Sequence, residues 1–245
     1  MHPRNNNLPR ILCLHGGGAS ATIFYVQTLK LQIELRRYFH FVFVNGPMDS
    51  QPGPGVLPIF EGAGPYFKWV TDVKVGEGTE PSEKERKREE KAVEKIIEKA
   101  LAEDDGGGPF VGVMGFSQGS RVAAGLLLQQ QTRKASQLEK LQFGIFFGAT
   151  WPPIAAEKAS FSRSDMTNEI SDNQVQSIRI PTLHVQGLQD PWLAESRMLL
   201  ANCCEPKSAR LVEFEGGHHL PLSTKDIKRV ANMILWISKP ALSDN

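Results

Sequence analysis

The sequence predicts an α/β fold in which a mostly parallel central sheet carries helices on both faces. Three observations predict it. Short apolar runs recur along the 245-residue chain. Segments of helical periodicity separate them, and such alternation calls for parallel strands joined by crossover helices. The runs also end on glycine-bearing loops, among them His15-Gly16-Gly17-Gly18, Asn45-Gly46-Pro47, Gly115, Gly148 and Gly187.

In chain order, Ile11-Leu12-Cys13-Leu14 reads as a buried strand that stops at the glycine loop, and residues 23–39 follow as a helix. Phe41-Val42-Phe43-Val44 is the next strand. Residues 46–81 are rich in Gly and Pro and carry Phe60, Tyr66, Phe67 and Trp69. No periodicity organises them, so they read as one long irregular excursion of the kind that often carries function. Residues 82–103 are strongly helical. Ser82 and Glu85 make a capping-box pattern, Val93, Ile96, Ile97, Ala100 and Leu101 form one apolar stripe, and charges fill the remaining face. The run 110–114 is a strand and 120–131 a helix. Strands follow at 143–147, 182–185 and 211–214, a partly helical stretch at 188–205 and a closing helix at 223–238. Residues 154–177 are polar and irregular. The whole chain reads as one domain, large enough to bury its core without disulfide or metal.

Composition narrows the function classes. With 28 Lys+Arg against 27 Asp+Glu, the net charge of +1 gives no electrostatic case for nucleic acid. The three cysteines have no metal-ligand spacing, and adjacent Cys203 and Cys204 are poorly placed to bridge to each other. A reducing compartment is the simplest reading. Residues 1–8 are polar, with no signal-peptide core, and no apolar run approaches the roughly 20 residues of a membrane span. The expectation is a cytoplasmic protein without membrane attachment.

The chemistry starts at Gly115-Phe116-Ser117-Gln118-Gly119. This is a G-x-S-x-G pattern set between an apolar strand and a helix, the context of a nucleophile elbow. A serine hydroxyl needs a base within hydrogen-bond reach. After the last strand, Gly216-Gly217-His218-His219 supplies two histidines, and His218, directly behind the glycine pair, is the better placed. An orienting carboxylate is expected after the preceding strand, where Gly187-Leu188-Gln189-Asp190 provides Asp190. Serine, acid and base in that order are the order of an α/β-hydrolase fold. The oxyanion is expected on the backbone N–H groups of Gln118 and of Gly17 in the first glycine loop. His15 is expected to prop that loop, and His184, inside an apolar strand, to be a satisfied core histidine. The Gly16–Gly18 loop lacks the Lys-Ser/Thr of a phosphate loop, and no H-e-x-x-H pattern or dinucleotide fingerprint occurs, so no cofactor is expected.

With these residues in place, the sequence resembles the fungal serine hydrolase (FSH) family, whose relatives include the ovarian-cancer-associated hydrolase of animals. The resemblance rests on Ile11 to Gly16, Gly64-Pro65-Tyr66-Phe67-Lys68-Trp69, Gly115 to Gly119, His184 to Asp190 and Gly216-Gly217-His218. It implies Ser117, Asp190 and His218 as nucleophile, acid and base. Gly18 followed by Ala19 departs from relatives that carry bulkier or polar residues there. The resemblance further implies an ester or thioester substrate, with release of a polyketide-type acyl chain from a synthase carrier domain as the leading case. Phe24, Phe60, Tyr66, Trp69, Trp151 and Trp192 would suit a long apolar acyl chain, or else anchor core and loops. A carboxylesterase of small free esters and a hydrolase-like binding protein are the rival readings.

Overall fold

The computed structural model describes residues 7–71, 82–103, 107–132, 141–153 and 177–243. The irregular stretch expected at 154–177, except residue 177, and residues 72–81 of the 46–81 excursion therefore lie outside the described residues.

Six strands build the central sheet: β1 (Arg10–Leu14), β2 (His40–Val44), then β5 (Phe110–Phe116), β6 (Phe143–Phe147), β7 (Thr182–Gly187) and β8 (Ala209–Phe214). Two shorter strands, β3 (Met48–Ser50) and β4 (Tyr66–Lys68), intervene in the chain. The sheet order is β2-β1-β5-β6-β7-β8, and every neighbouring pair is parallel. Parallel strands covered on both faces read as continuous apolar runs, which is why they were so clear in the sequence. Along β1 the side chains alternate. Leu12 and Leu14 enter one core cluster, Ile11 and Cys13 the other.

The helices divide between those two layers. α1 (Ala21–Leu35) and α5 (Thr224–Ile237) cover one face, through Phe24, Leu31 and Leu35 and through Val230, Ala231 and Ile234. Each has a serine N-cap: Ser20 accepts from Ile23 N–H at 3.2 Å and Ser223 from Asp226 N–H at 3.1 Å. α2 (Glu83–Glu103), α3 (Gln118–Thr132) and α4 (Leu193–Cys203) cover the opposite face with Val93, Ile97, Leu127 and Leu199. Ser82 and Glu85 close the expected capping box, the carboxylate accepting from Ser82 N–H at 2.8 Å and the hydroxyl from Glu85 N–H at 3.3 Å. A short α6 (Lys239–Ser243), absent from the sequence reading, ends the fold.

The excursion after β2 is more ordered than its composition suggests. β3 and β4 pair antiparallel, Asp49 opposite Phe67, and Phe67 forms a further bridge to Ala19. Strands of three residues are too short to carry a visible alternation, so sequence patterning missed them.

The functional end of the sheet follows from the topology. From β1 the chain steps outward to β2, then returns to the other side of β1 and runs outward again through β5 to β8. Between β1 and β5 lies the switch point, and in open parallel sheets the crevice beyond the strand C-termini at such a point is where ligands bind. Gly17 follows β1 and Ser117 follows β5. Among the described residues no helix is long and apolar enough to cross a membrane, and no group of three or more His, Cys, Asp or Glu side chains is placed to hold a metal ion.

Candidate active site

Ser117 is the link between β5 and α3, held at φ 51°, and is the non-glycine residue with positive φ among those described. Its N–H donates to Phe147 O at 2.9 Å, tying the turn to β6. The flanking glycines are required by space. A Cβ on Gly115 would stand 2.4 Å from Gly119 O, and one on Gly119 would stand 2.2 Å from Leu14 O. The strained angle is therefore over-determined by the packing of α3 against the end of β1.

Three side chains meet above this turn. His218 Nε2 lies 2.9 Å from Ser117 Oγ, and His218 Nδ1 lies 2.8 Å from Asp190 Oδ2. Asp190 is buried, and its second oxygen accepts from Trp192 N–H at 2.8 Å. An ionised carboxylate only accepts, so the Nδ1 proton lies toward Asp190 and Nε2 is left as the acceptor facing the serine hydroxyl. The imidazole is also clasped by rings: Phe116 at 4.9 Å and Trp192 at 4.5 Å between centroids. His219 turns away, its Nδ1 on Leu220 O at 2.8 Å and its Nε2 accepting from Gly217 N–H at 3.2 Å. This arrangement is able to activate a hydroxyl for attack on a carbonyl.

The first glycine loop sits beside the elbow. Gly17 N–H makes no hydrogen bond among the described residues. Gln118 begins α3, whose first N–H groups point out of the helix end. His15 is wholly buried and props the loop as expected: Nε2 accepts from Gly46 N–H at 2.9 Å, so Nδ1 is the donor to Gly16 O at 2.7 Å. Burial holds its pKa down to about 4, and the ring stays neutral.

His184 is a core residue, but not a fully satisfied one. Nε2 lies 3.3 Å from Thr182 Oγ1 and 3.4 Å from Cys204 Sγ, while Nδ1 has no hydrogen-bond partner among the described residues. Burial lowers its pKa to about 3 and raises that of Cys204 to about 12. All three cysteines are buried and unbridged. The unfolded chain protonates both histidines near 6.5, whereas the folded chain resists it. Their contribution to stability is therefore complete above pH 6.5 and is lost as pH falls toward 4 for His15 and toward 3 for His184. Each histidine should cost about 1.4 kcal/mol per pH unit within its window. Urea midpoints at pH 7 and pH 5 are expected to differ accordingly, with a smaller difference in His184→Leu; equal wild-type midpoints would contradict this.

Six aromatic residues were expected at a substrate pocket, and the structure separates them. Phe24 is 0% exposed, packs edge-on to Phe43 and belongs to the core. Trp69 is also 0% exposed and donates its Nε1–H to His15 O at 2.8 Å. Trp151 is buried in the same core cluster as Trp69, and its backbone N–H donates to Glu195 Oε2 at 2.8 Å. These three are corrected to structural residues, because none presents surface to a ligand. Phe60 and Tyr66 are half-buried, pack on Ala19, Ile23 and Val56 beside the glycine loop, and are joined by Tyr66 Oη donating to Phe60 O at 2.8 Å. Trp192, half-buried, lies against His218.

Sequence reasoning missed Gly148. It follows β6 with φ 45°, and a Cβ there would stand 3.1 Å from Asp190 Oδ2 and 3.3 Å from His218 Nδ1. A glycine directly after the strand lying between β5 and β7 was the available signal. Gly148→Ala is expected to press on the Asp190–His218 contact and lower kcat about 10-fold or more, a displacement effect of the kind that can cost about 100-fold per ångström. An unchanged kcat would rule this out.

Comparison with known proteins places the chain. The family model described as Serine hydrolase (FSH1) matches residues 5–230. The chain belongs to this serine hydrolase family. A relative named Esterase FUS5, from Gibberella fujikuroi, is 44% identical over 226 residues, covering 92% of this chain and 85% of its own. Another, Thioesterase FSL2 from Gibberella zeae, is 39% identical, with 93% and 92% covered. Among solved structures, a Bacillus cereus carboxylesterase aligns with TM-score 0.56 at 16% identity over 96% of this chain and 90% of that one. Acyl-protein thioesterase 2 of Zea mays aligns with TM-score 0.55 at 15% identity over 97% and 96%. Those two likenesses speak to the α/β-hydrolase fold. The serine hydrolase family, with its esterase- and thioesterase-named members, makes the chain an ester- or thioester-cleaving hydrolase.

Proposed function

We propose that this hydrolase is a stand-alone thioesterase that releases a polyketide-type acyl chain from a carrier domain through a Ser117-His218-Asp190 triad. The observation that carries the mechanism is the continuous hydrogen-bonded chain from Ser117 Oγ through His218 to Asp190, with links of 2.9 and 2.8 Å. Ser117 Oγ attacks the acyl carbonyl while its proton passes to His218 Nε2. The carbonyl π electrons move to oxygen, and the N–H groups of Gly17 and Gln118 receive that charge. Donors of this kind are worth a few kcal/mol in the transition state. As the carbonyl re-forms, the bond to the thiol or alcohol breaks and His218 returns the proton to the leaving group. Water, deprotonated by His218, then cleaves the acyl-enzyme and restores Ser117.

The thioester preference is supported by the relative named a thioesterase and by the family resemblance. The relative named an esterase favours a second reading, hydrolysis of small free esters. The two separate in kinetics. A kcat/KM at least tenfold higher for an acyl group on a phosphopantetheinylated carrier domain than for the matching p-nitrophenyl ester supports release from a carrier. The reverse ratio assigns the chain to free esters.

A further inference from the structure

The side chain of Gln118 serves a purpose distinct from its backbone N–H. It is 3% exposed, and its amide grips the main chain just past β4: Oε1 accepts from Trp69 N–H at 2.7 Å and Nε2 donates to Val70 O at 3.0 Å. The orientation of the amide is settled by its partners, since Trp69 N–H requires an acceptor and Val70 O a donor. The gripped segment in turn carries the first glycine loop. Phe67 O accepts from Gly18 N–H at 2.8 Å, Phe67 N–H donates to Ala19 O at 2.6 Å, and the Trp69 indole donates to His15 O at 2.8 Å. The Gln118 amide also lies under Gly17, where an added Cβ would stand 3.4 Å from its Cδ, Nε2 and Oε1. Gly18 has no slack of its own, because at φ 72° a Cβ on it would meet Gly53 N at 2.2 Å.

We infer that the Gln118 side chain is the positioning element of the oxyanion site: through the Trp69–Val70 backbone it fixes the loop that carries Gly17 N–H relative to the elbow that carries Ser117. One residue thereby sets the distance between the two groups that must act on the same carbonyl. This rests on the proposed role of Ser117, and it adds a determinant of transition-state binding that leaves ground-state binding alone. A donor that is merely displaced still binds substrate; what it loses is the oxyanion.

The test compares wild type with Gln118→Met, which keeps the length and loses the amide, and with Gln118→Ala. Steady-state hydrolysis of p-nitrophenyl butyrate is read together with inhibition by an alkyl trifluoromethyl ketone. That ketone adds reversibly to Ser117: the Oγ–C bond forms, the carbonyl π pair moves to oxygen, and the serine proton passes to His218. Gln118→Met is expected to lower kcat on the order of 100-fold, with KM within about threefold, as for an ångström-scale misplacement. Ketone affinity is expected to fall in parallel with kcat. Thermal unfolding shows whether each variant is folded at the assay temperature, and Gln118→Ala repeats the comparison if Gln118→Met is not. A lowered melting temperature with unchanged kcat and ketone affinity would make the clamp structural only and overturn the inference. A fall in kcat without a fall in ketone affinity would do the same. If wild-type Ser117 is not acylated at all, the proposed mechanism itself fails, which fluorophosphonate labelling of the wild type distinguishes.

Discussion

Asp190→Asn is expected to leave the fold intact and lower kcat by roughly 1,000- to 10,000-fold, the range a tautomer error produces in a serine triad. The reason is local. Asp190 serves two N–H groups, accepting from Trp192 N–H at 2.8 Å through Oδ1 and facing His218 Nδ1 at 2.8 Å through Oδ2. Asparagine has one oxygen. A backbone N–H cannot become an acceptor, so the oxygen stays with Trp192 and the amide NH₂ turns to His218. Nδ1 must then accept, the ring proton moves to Nε2, and Nε2 donates toward Ser117 Oγ instead of receiving its proton. Thermal unfolding close to wild type together with the fall in kcat is the predicted pair of results. Retention of more than about a tenth of wild-type kcat would remove Asp190 from the orienting role.

The second large effect is on the elbow. Gly119→Ala is expected to destabilise the protein by several kcal/mol, in the upper range for single substitutions, and to abolish activity. The new Cβ would stand 2.2 Å from Leu14 O and 2.5 Å from His15 O. Both are backbone atoms at the end of β1, with no flexible side chain to give way. α3 would have to withdraw from the sheet, and Ser117 would move with it. Gly217→Ala is the contrasting case, since its nearest contact would be Gln189 O at 3.8 Å, an ordinary distance. Denaturant unfolding of the two variants should therefore differ by several kcal/mol, and equal stability would contradict the packing argument.

Why some of this was legible and some was not follows from the kind of contact involved. Ser117, Asp190 and His218 each follow a strand of a parallel sheet, so their positions are set by strand ends, and apolar runs reveal strand ends clearly. The six sheet strands were readable for the same reason. Contacts that depend on which way a side chain faces were not. Phe24 and Trp69 have the composition of pocket residues, yet one is turned from α1 into the core and the other is turned under the glycine loop. Gly148 was one glycine among many until its φ of 45° and its place beneath the Asp190–His218 pair were seen. The grip of Gln118 on Trp69 and Val70 spans 49 and 48 residues of chain, and nothing local in the sequence marks such a pair. The β3–β4 pairing, at three residues a strand, fell below what alternation reveals.

The central claim is that Ser117 Oγ is the nucleophile, and its most direct test is covalent. Wild type and Ser117→Ala are incubated with a fluorophosphonate, then analysed by intact mass and by mapping of the peptide that contains residue 117. The account predicts one adduct per wild-type chain, located on Ser117, and none on Ser117→Ala. An adduct of equal stoichiometry on Ser117→Ala, or a wild-type adduct on any other residue, would contradict it.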